Sequence, residues 1–240
     1  MNLKRWLIGV FIFLCFIFFL ILVFPATGSK KNSTKKIVIA CAGDSLMRPV
    51  PFYLRRLLPA KKVIIKEWAQ GGLSAATYPS FFEAHPQWRR QKVDIILLQL
   101  GTNDVILFGK KEEDENLFKT NLKKIIREMK KLDGNCFRRP QIIIATAPPF
   151  SGNEGEVEKN RLLEGIINPT IRKLAEEEKL LLVDHWPKFK GQKDLYEPDG
   201  VHPNREGEKV IARNWRRAIR LCCFNQKQIP QKFSEKRIFD

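Results

Sequence analysis

VDIILLQL (residues 93–100) runs directly into Gly101-Thr102-Asn103-Asp104. A short, nearly continuous Val/Ile/Leu run closed by a glycine-led turn suits a strand buried on both faces, and such strands belong to parallel sheets. Four other runs read the same way: KIVIACA (36–42), VIIKEW (63–68), QIIIATA (141–147) and LLLVD (180–184). Between and after them, Glu112 to Leu132, Val157 to Lys179 and Glu206 to Leu221 carry apolar residues at spacings of three and four, the pattern of a helix with one buried face. Alternating strands and helices predict an α/β, three-layer sandwich, in which ligands bind outside the carboxyl ends of the strands.

Three segments fall at such ends or in the loop after the last strand: Gly43-Asp44-Ser45-Leu46, Gly101-Thr102-Asn103-Asp104 and Asp199-Gly200-Val201-His202. Ser45 follows the first strand directly, where its hydroxyl would stand exposed, but a serine is a weak nucleophile without a base. His202 is the candidate base, since an imidazole takes a proton near neutral pH and returns it to a leaving group. Asp199, three residues earlier, can reach the other ring nitrogen if the loop folds back. Asn103 offers a side-chain amide for a developing oxyanion. Each motif alone also fits an ordinary turn, and only their joint occurrence points to a site. The chain has three histidines. His85 precedes Pro86 in a polar stretch, and the rival pair Asp184-His185 is disfavoured because neighbours on an extended segment point to opposite faces.

The three segments resemble the first, third and fifth sequence blocks of the SGNH hydrolases, also called GDSL esterases and lipases, over Ile37 to about Leu221. The resemblance implies a flavodoxin-like sandwich with a central five-stranded parallel sheet, and no metal or organic cofactor. It implies Ser45 as nucleophile, Asp199 and His202 as its partners, and an oxyanion hole that includes Ser45 and Asn103. The second block normally carries a glycine whose N–H completes that hole; here Gln70-Gly71-Gly72-Leu73-Ser74-Ala75-Ala76-Thr77 places Ala75 at the expected donor position and Gly72 at an earlier glycine. Either Gly72 or Ala75 is the expected donor. An alanine N–H suffices only where the backbone angle is not positive.

The segment from Ile167-Asn168-Pro169 to Asp184, with Pro198 to Asn204, is similar to carbohydrate O-acetylesterase members. The expected activity is a serine esterase releasing O-acetyl groups from an extracytoplasmic carbohydrate. A lysophospholipase, lipase or thioesterase is the alternative within the enzyme class. A catalytically silent, membrane-tethered glycan-binding protein is the alternative outside it. Phe150, Trp186 and Tyr196 lie by the same loops and could stack on a sugar or line an acyl pocket, although core packing is the plainer role.

Trp6 to Phe24 is an unbroken apolar run behind Lys4 and Arg5, so residues 1–29 read as a membrane anchor or signal peptide. Its length favours an anchor, and Ala26-Thr27-Gly28 is a candidate cleavage site. Residues 30–36 read as a polar linker, 37–222 as the hydrolase domain and 223–240 as a basic tail. The catalytic domain is expected outside the cytoplasm, anchored or secreted. The chain of 240 residues has a formal charge of +17, of which the first 36 residues supply six cations and no anion, leaving +11 on the rest. That charge fits an anionic polymer or lipid surface, or only a solvated basic surface; no nucleic-acid motif accompanies it. The five cysteines lack metal-ligand spacing and give no disulfide framework. No GxGxxG, GxxxxGK[ST] or HExxH occurs, so dinucleotide binding and a zincin site are not expected.

Overall fold

The computed structural model describes residues 35–107, 112–152 and 155–224. The chain divides into two units, Met1–Thr34 and Lys35–Asp240, and the described residues all belong to the second. The anchor or signal expected over residues 1–29, most of the linker, and the tail beyond Phe224 lie outside them. Among the described residues, no helix is long and apolar enough to cross a membrane.

Five strands form one sheet: β1 (Ile37–Gly43), β2 (Val63–Ala69), β3 (Ile95–Gln99), β4 (Gln141–Ala145) and β5 (Leu181–Val183). They pair in the order β2-β1-β3-β4-β5, and every pairing is parallel. This is the flavodoxin-like order. The five apolar runs read from the sequence are these strands.

Because side chains alternate across a strand, each run feeds two cores. Val38, Ala40, Ala42, Ile96, Leu98, Ile142 and Ile144 face one side. There they meet Tyr78 and Phe82 of α2 (Tyr78–Glu83), Trp88 of α3 (Pro86–Arg89), Phe118, Leu122, Ile125 and Met129 of α5 (Glu112–Lys130), and Ile171 and Leu174 of α7 (Asn168–Glu177). Ile39, Cys41, Ile95, Leu97, Ile143 and Val183 face the other. They meet Val50 and Leu54 of α1 (Val50–Leu57), Phe189 of α8 (Trp186–Phe189), and Ile211, Trp215 and Ile219 of α9 (Arg205–Phe224). Helix, sheet and helix make the expected three layers. The remaining helices, α4 (Thr102–Leu107) and α6 (Gly155–Leu162), follow β3 and β4 at the sheet's carboxyl edge.

One detail differs from the sequence expectation. The pattern over 157–179 is not one α-helix: a π-helical turn at Leu163–Ile167 separates α6 from α7, and its Asn168 N–H reaches back to the Leu163 carbonyl. Pro169 follows at the start of α7, where its missing N–H costs little. Helix α9 also runs past residue 222, through Cys223 and Phe224.

The fold fixes where a site can form. β1 leads outward to β2 on one side, while β3 leads to β4 on the other. Loops leaving β1 and β3 therefore diverge and leave a crevice between them. Ser45 follows β1 and Asn103 follows β3, so the first two candidate segments flank that crevice. The chain enters the sheet at Ile37, the opposite end of β1 from Ser45.

Candidate active site

Ser45 opens a single 3-10 turn, Ser45–Met47, whose N-cap is Asp44. The Asp44 carboxylate accepts the Leu46 N–H at 3.0 Å, which holds the turn against the end of β1. Ser45 is half-buried.

The candidate base, His202, arrives from the loop before α9. Asn204 caps that helix, its Oδ1 accepting the Glu206 and Gly207 N–H groups at 3.0 and 3.1 Å, while its Nδ2 donates to the Asp194 and Tyr196 carbonyls at 2.8 and 3.2 Å. The same loop closes on itself through Glu197 N–H to the His202 carbonyl, 2.8 Å, and Gly200 N–H to the Glu197 carbonyl, 3.0 Å. Gly200 sits at φ +67°, and a Cβ added there would lie 2.2 Å from the Ser151 carbonyl oxygen, so no other residue fits without moving the loop. The Ser151 N–H in turn donates to the Gly200 carbonyl at 2.6 Å, tying the Asp-His loop to the segment after β4.

These constraints bring the three predicted residues together. His202 Nε2 lies 3.0 Å from Ser45 Oγ, and His202 Nδ1 lies 2.6 Å from Asp199 Oδ2. Asp199 Oδ1 accepts the Val201 and His202 N–H groups at 2.9 Å each. Burial raises the Asp199 pKa, but the hydrogen bonds from the His202 ring and from the two backbone amides outweigh it and hold the carboxyl below its ordinary value. A carboxylate that accepts from Nδ1 leaves Nε2 free to accept a serine proton. The His202 and Asp199 side chains are 46 % and 49 % exposed, so the pair is open to solvent rather than roofed.

The oxyanion candidates divide. Asn103 Nδ2 donates to the Leu73 carbonyl at 2.9 Å, which places its amide beside the Gly71-Gly72 turn and leaves its second hydrogen for a ligand. A Cβ added at Gly71 would lie 3.8 Å from Ser45 Cβ, so this turn rests against Ser45. The expectation for Ala75 is corrected. Its N–H points into the Asp104 carboxylate at 2.9 and 3.1 Å and is not available to substrate. Gly72, at φ +79°, remains of the two.

Neither other histidine joins the site. His85 stacks on Trp88, with centroids 4.1 Å apart, and its Nδ1 lies 2.7 Å from the Phe81 carbonyl. His185 is wholly buried against Trp215, its Nδ1 accepting from Asn214 Nδ2 at 3.2 Å, and burial pushes its pKa down to about 3. Asp184 instead holds Arg172 at 3.1 Å and the Thr146 hydroxyl at 2.8 Å. Phe150, Trp186 and Tyr196 are all buried, at 5 %, 8 % and 7 % exposure, so they pack the core instead of offering a face to sugar.

Sequence reading missed several groups that build the site. Asn168, fully buried, binds both the N–H and the carbonyl of Ala147 at 2.9 and 3.0 Å, and Asn160 does the same for Phe150 at 2.8 and 2.9 Å. Two amide side chains thus replace the ladder partners that the chain after β4 lacks. Asp44 and Asp104 are the other two, both buried.

Burial pushes the Asp44 pKa up to about 7, against the Leu46 amide that lowers it and with the charge of Asp104 that raises it further. Burial likewise pushes Asp104 up to about 6, against the Ala75 amide. A carboxyl whose folded pKa is raised favours folding while both states are protonated, and that contribution is lost as pH climbs from the ordinary carboxylate value to the folded one. Asp44→Asn keeps the acceptor for Leu46 and cannot ionise. It should therefore stabilise the protein by about 1 to 3 kcal/mol more at pH 8 than at pH 4, read from urea unfolding. An equal effect at both pH values would refute the buried titration.

Among the described residues, no cluster of three or more His, Cys, Asp or Glu could hold a metal. The sequence profile of the GDSL-like lipase/acylhydrolase family matches residues 38–210. No curated protein matches the chain. Solved structures do. Axe2, an acetylxylan esterase from Geobacillus stearothermophilus, superposes with a TM-score of 0.60 at 22 % identity, over 78 % of this chain and 94 % of that one. A carbohydrate acetylesterase family member from Sinorhizobium meliloti gives 0.56 at 19 %, over 77 % and 98 %. A lipase/acylhydrolase from Enterococcus faecalis gives 0.62 at 16 %, over 78 % and 96 %.

Proposed function

The chain belongs to the GDSL-like lipase/acylhydrolase family and is an ester-bond hydrolase, and from that premise we propose that it is a serine esterase releasing O-acetyl groups from a carbohydrate. The continuous hydrogen-bond chain Asp199–His202–Ser45 carries the reading. Ser45 Oγ attacks the ester carbonyl while His202 Nε2 takes its proton, and Asp199 steadies the imidazolium through Nδ1. The Ser45 and Gly72 N–H groups and Asn103 Nδ2 receive the oxyanion. The alcohol leaves with the proton from Nε2, and water, deprotonated by the same nitrogen, releases acetate from Ser45. A serine-to-alanine variant of the Geobacillus enzyme is described as a catalytic mutant, which supports a serine nucleophile on this fold.

Two observations support a carbohydrate acetyl ester. Structures named as acetylxylan esterase and carbohydrate acetylesterase are among those that share the fold over nearly their whole length. The open His202 and Asp199 side chains also leave room for a bulky alcohol. A lipid ester is favoured instead by Ile106 and Val157, 58 % and 69 % exposed on the packed helices α4 and α6 at the sheet's carboxyl edge. Acyl length separates the two. Hydrolysis of 4-nitrophenyl acetate should exceed that of the octanoate at least tenfold in kcat/KM, the scale set by added methylenes in a shaped pocket, about 1 to 3 kcal/mol. Faster turnover of octanoate would reject the acetyl reading. The apolar run at Trp6 to Phe24 supports an extracytoplasmic carbohydrate as substrate, with the domain anchored or released, and the +17 charge supports contact with an anionic polymer or lipid.

A further inference from the structure

Two consecutive side chains at the start of α4 grip opposite polarities of one short loop. Asn103 Nδ2 donates to the Leu73 carbonyl at 2.9 Å, and Asp104, 3 % exposed, accepts the Ala75 N–H with both carboxylate oxygens. Farther along the loop between β2 and α2, Thr77 Oγ1 accepts the Ser74 N–H at 2.9 Å and the Ser74 and Thr77 hydroxyls lie 3.2 Å apart, contacts that stay within the loop itself. Gly72 stands immediately before the gripped residues, and the turn it belongs to lies against Ser45. A backbone N–H donated to a buried carboxylate is roughly twice as strong as one donated to a neutral acceptor. Asp104 therefore fixes the loop more tightly than a neutral side chain of its size would.

We infer that Asp104 is a positioning residue for the oxyanion hole: by holding the Ala75 N–H it sets the register at which the Gly72 N–H meets the developing oxyanion. This rests on the serine-esterase reading. The fixed loop spares the transition state the cost of ordering a donor, so the effect falls on kcat rather than on substrate affinity. It also accounts for Asn103-Asp104 as a pair, one residue touching the oxyanion and its neighbour holding the other donor in place.

The test compares the full chain with Asp104→Asn and Asp104→Ala. Readouts are kcat and KM on 4-nitrophenyl acetate, inhibition by a phenylboronic acid that forms a tetrahedral adduct on serine, and Tm. In Asp104→Ala, kcat should fall about hundredfold with KM within threefold, and the boronate Ki should rise by the same factor as kcat falls. Asparagine retains an acceptor for Ala75, so Asp104→Asn should recover kcat to within about tenfold of the parent, with Ki still tracking kcat. If Asp104→Ala does not fold, Asp104→Asn decides alone through that proportionality. A lower Tm with an unchanged ratio of Ki to KM in the folded variant would overturn the inference and leave only a structural role. Fluorophosphonate labelling of Ser45 in the parent separates the two claims: without it the serine reading fails, whereas labelling with unresponsive Asp104 variants sinks this inference alone.

Discussion

Ser45→Ala is expected to lower kcat/KM for acetyl esters by about 10⁴-fold or more while leaving Tm within a few degrees of the parent. Ser45 is half-buried at the head of a 3-10 turn, and the turn is held by Asp44 through Leu46 rather than by the serine hydroxyl. Alanine therefore removes the proposed attacking oxygen and its bond to His202 Nε2, and little else. Residual hydrolysis would reflect water attacking an ester still held by the oxyanion donors, which sustain a small part of the acceleration without a nucleophile. Retention of more than a hundredth of the parent activity would be incompatible with an acyl-enzyme on Ser45.

His202→Ala should cost about as much as Ser45→Ala, and the double variant no more than either. In the proposed mechanism the two residues act as one unit across a 3.0 Å contact, since the hydroxyl would attack only as its proton passes to Nε2. Side chains acting independently would give multiplicative losses instead. Steady-state kinetics on the three variants distinguish these cases, and a double variant a further thousandfold below the singles would break the coupling between Ser45 and His202. The loop around His202 should survive the change, because its closure uses the His202 backbone N–H and carbonyl, Gly200 and Asn204.

The centre of the sheet was legible from the sequence because both faces of β1, β3 and β4 are covered, leaving those runs apolar in two directions at once, whereas edge strand β2 keeps Lys66 and Glu67 among its apolar residues. The long helices α5 and α9 were legible through their apolar spacing. Helices α2, α3, α4 and α8 were not, because four to six residues give too little of a 3.6-residue period to recognise. The π-turn before Asn168 hid for another reason: one inserted residue leaves the apolar pattern over 157–179 almost intact while breaking the helix.

Ser45, Asn103, Asp199 and His202 could be named as candidates because a nucleophile, an amide and an acid-base pair need particular residue types, and only three histidines were available to choose among. The donor in the loop after β2 could not. Any backbone N–H serves that role, and whether Ala75 offers its own depends on Asp104, 29 positions away. The same limit applied to Asn160 and Asn168, whose amides hold the backbone after β4 across 10 and 21 positions. Phe150, Trp186 and Tyr196 show the converse. Proximity to the site in sequence said nothing about which way the rings turn, and all three turn inward.

The central claim is that one serine carries the acyl group. Reaction of the full chain with a fluorophosphonate, followed by proteolysis and mass spectrometry, should show a single phosphonyl adduct on the peptide containing Ser45, lost in Ser45→Ala together with ester hydrolysis. An adduct on another residue, or an unlabelled Ser45 in a preparation that still hydrolyses acetyl esters, would contradict it.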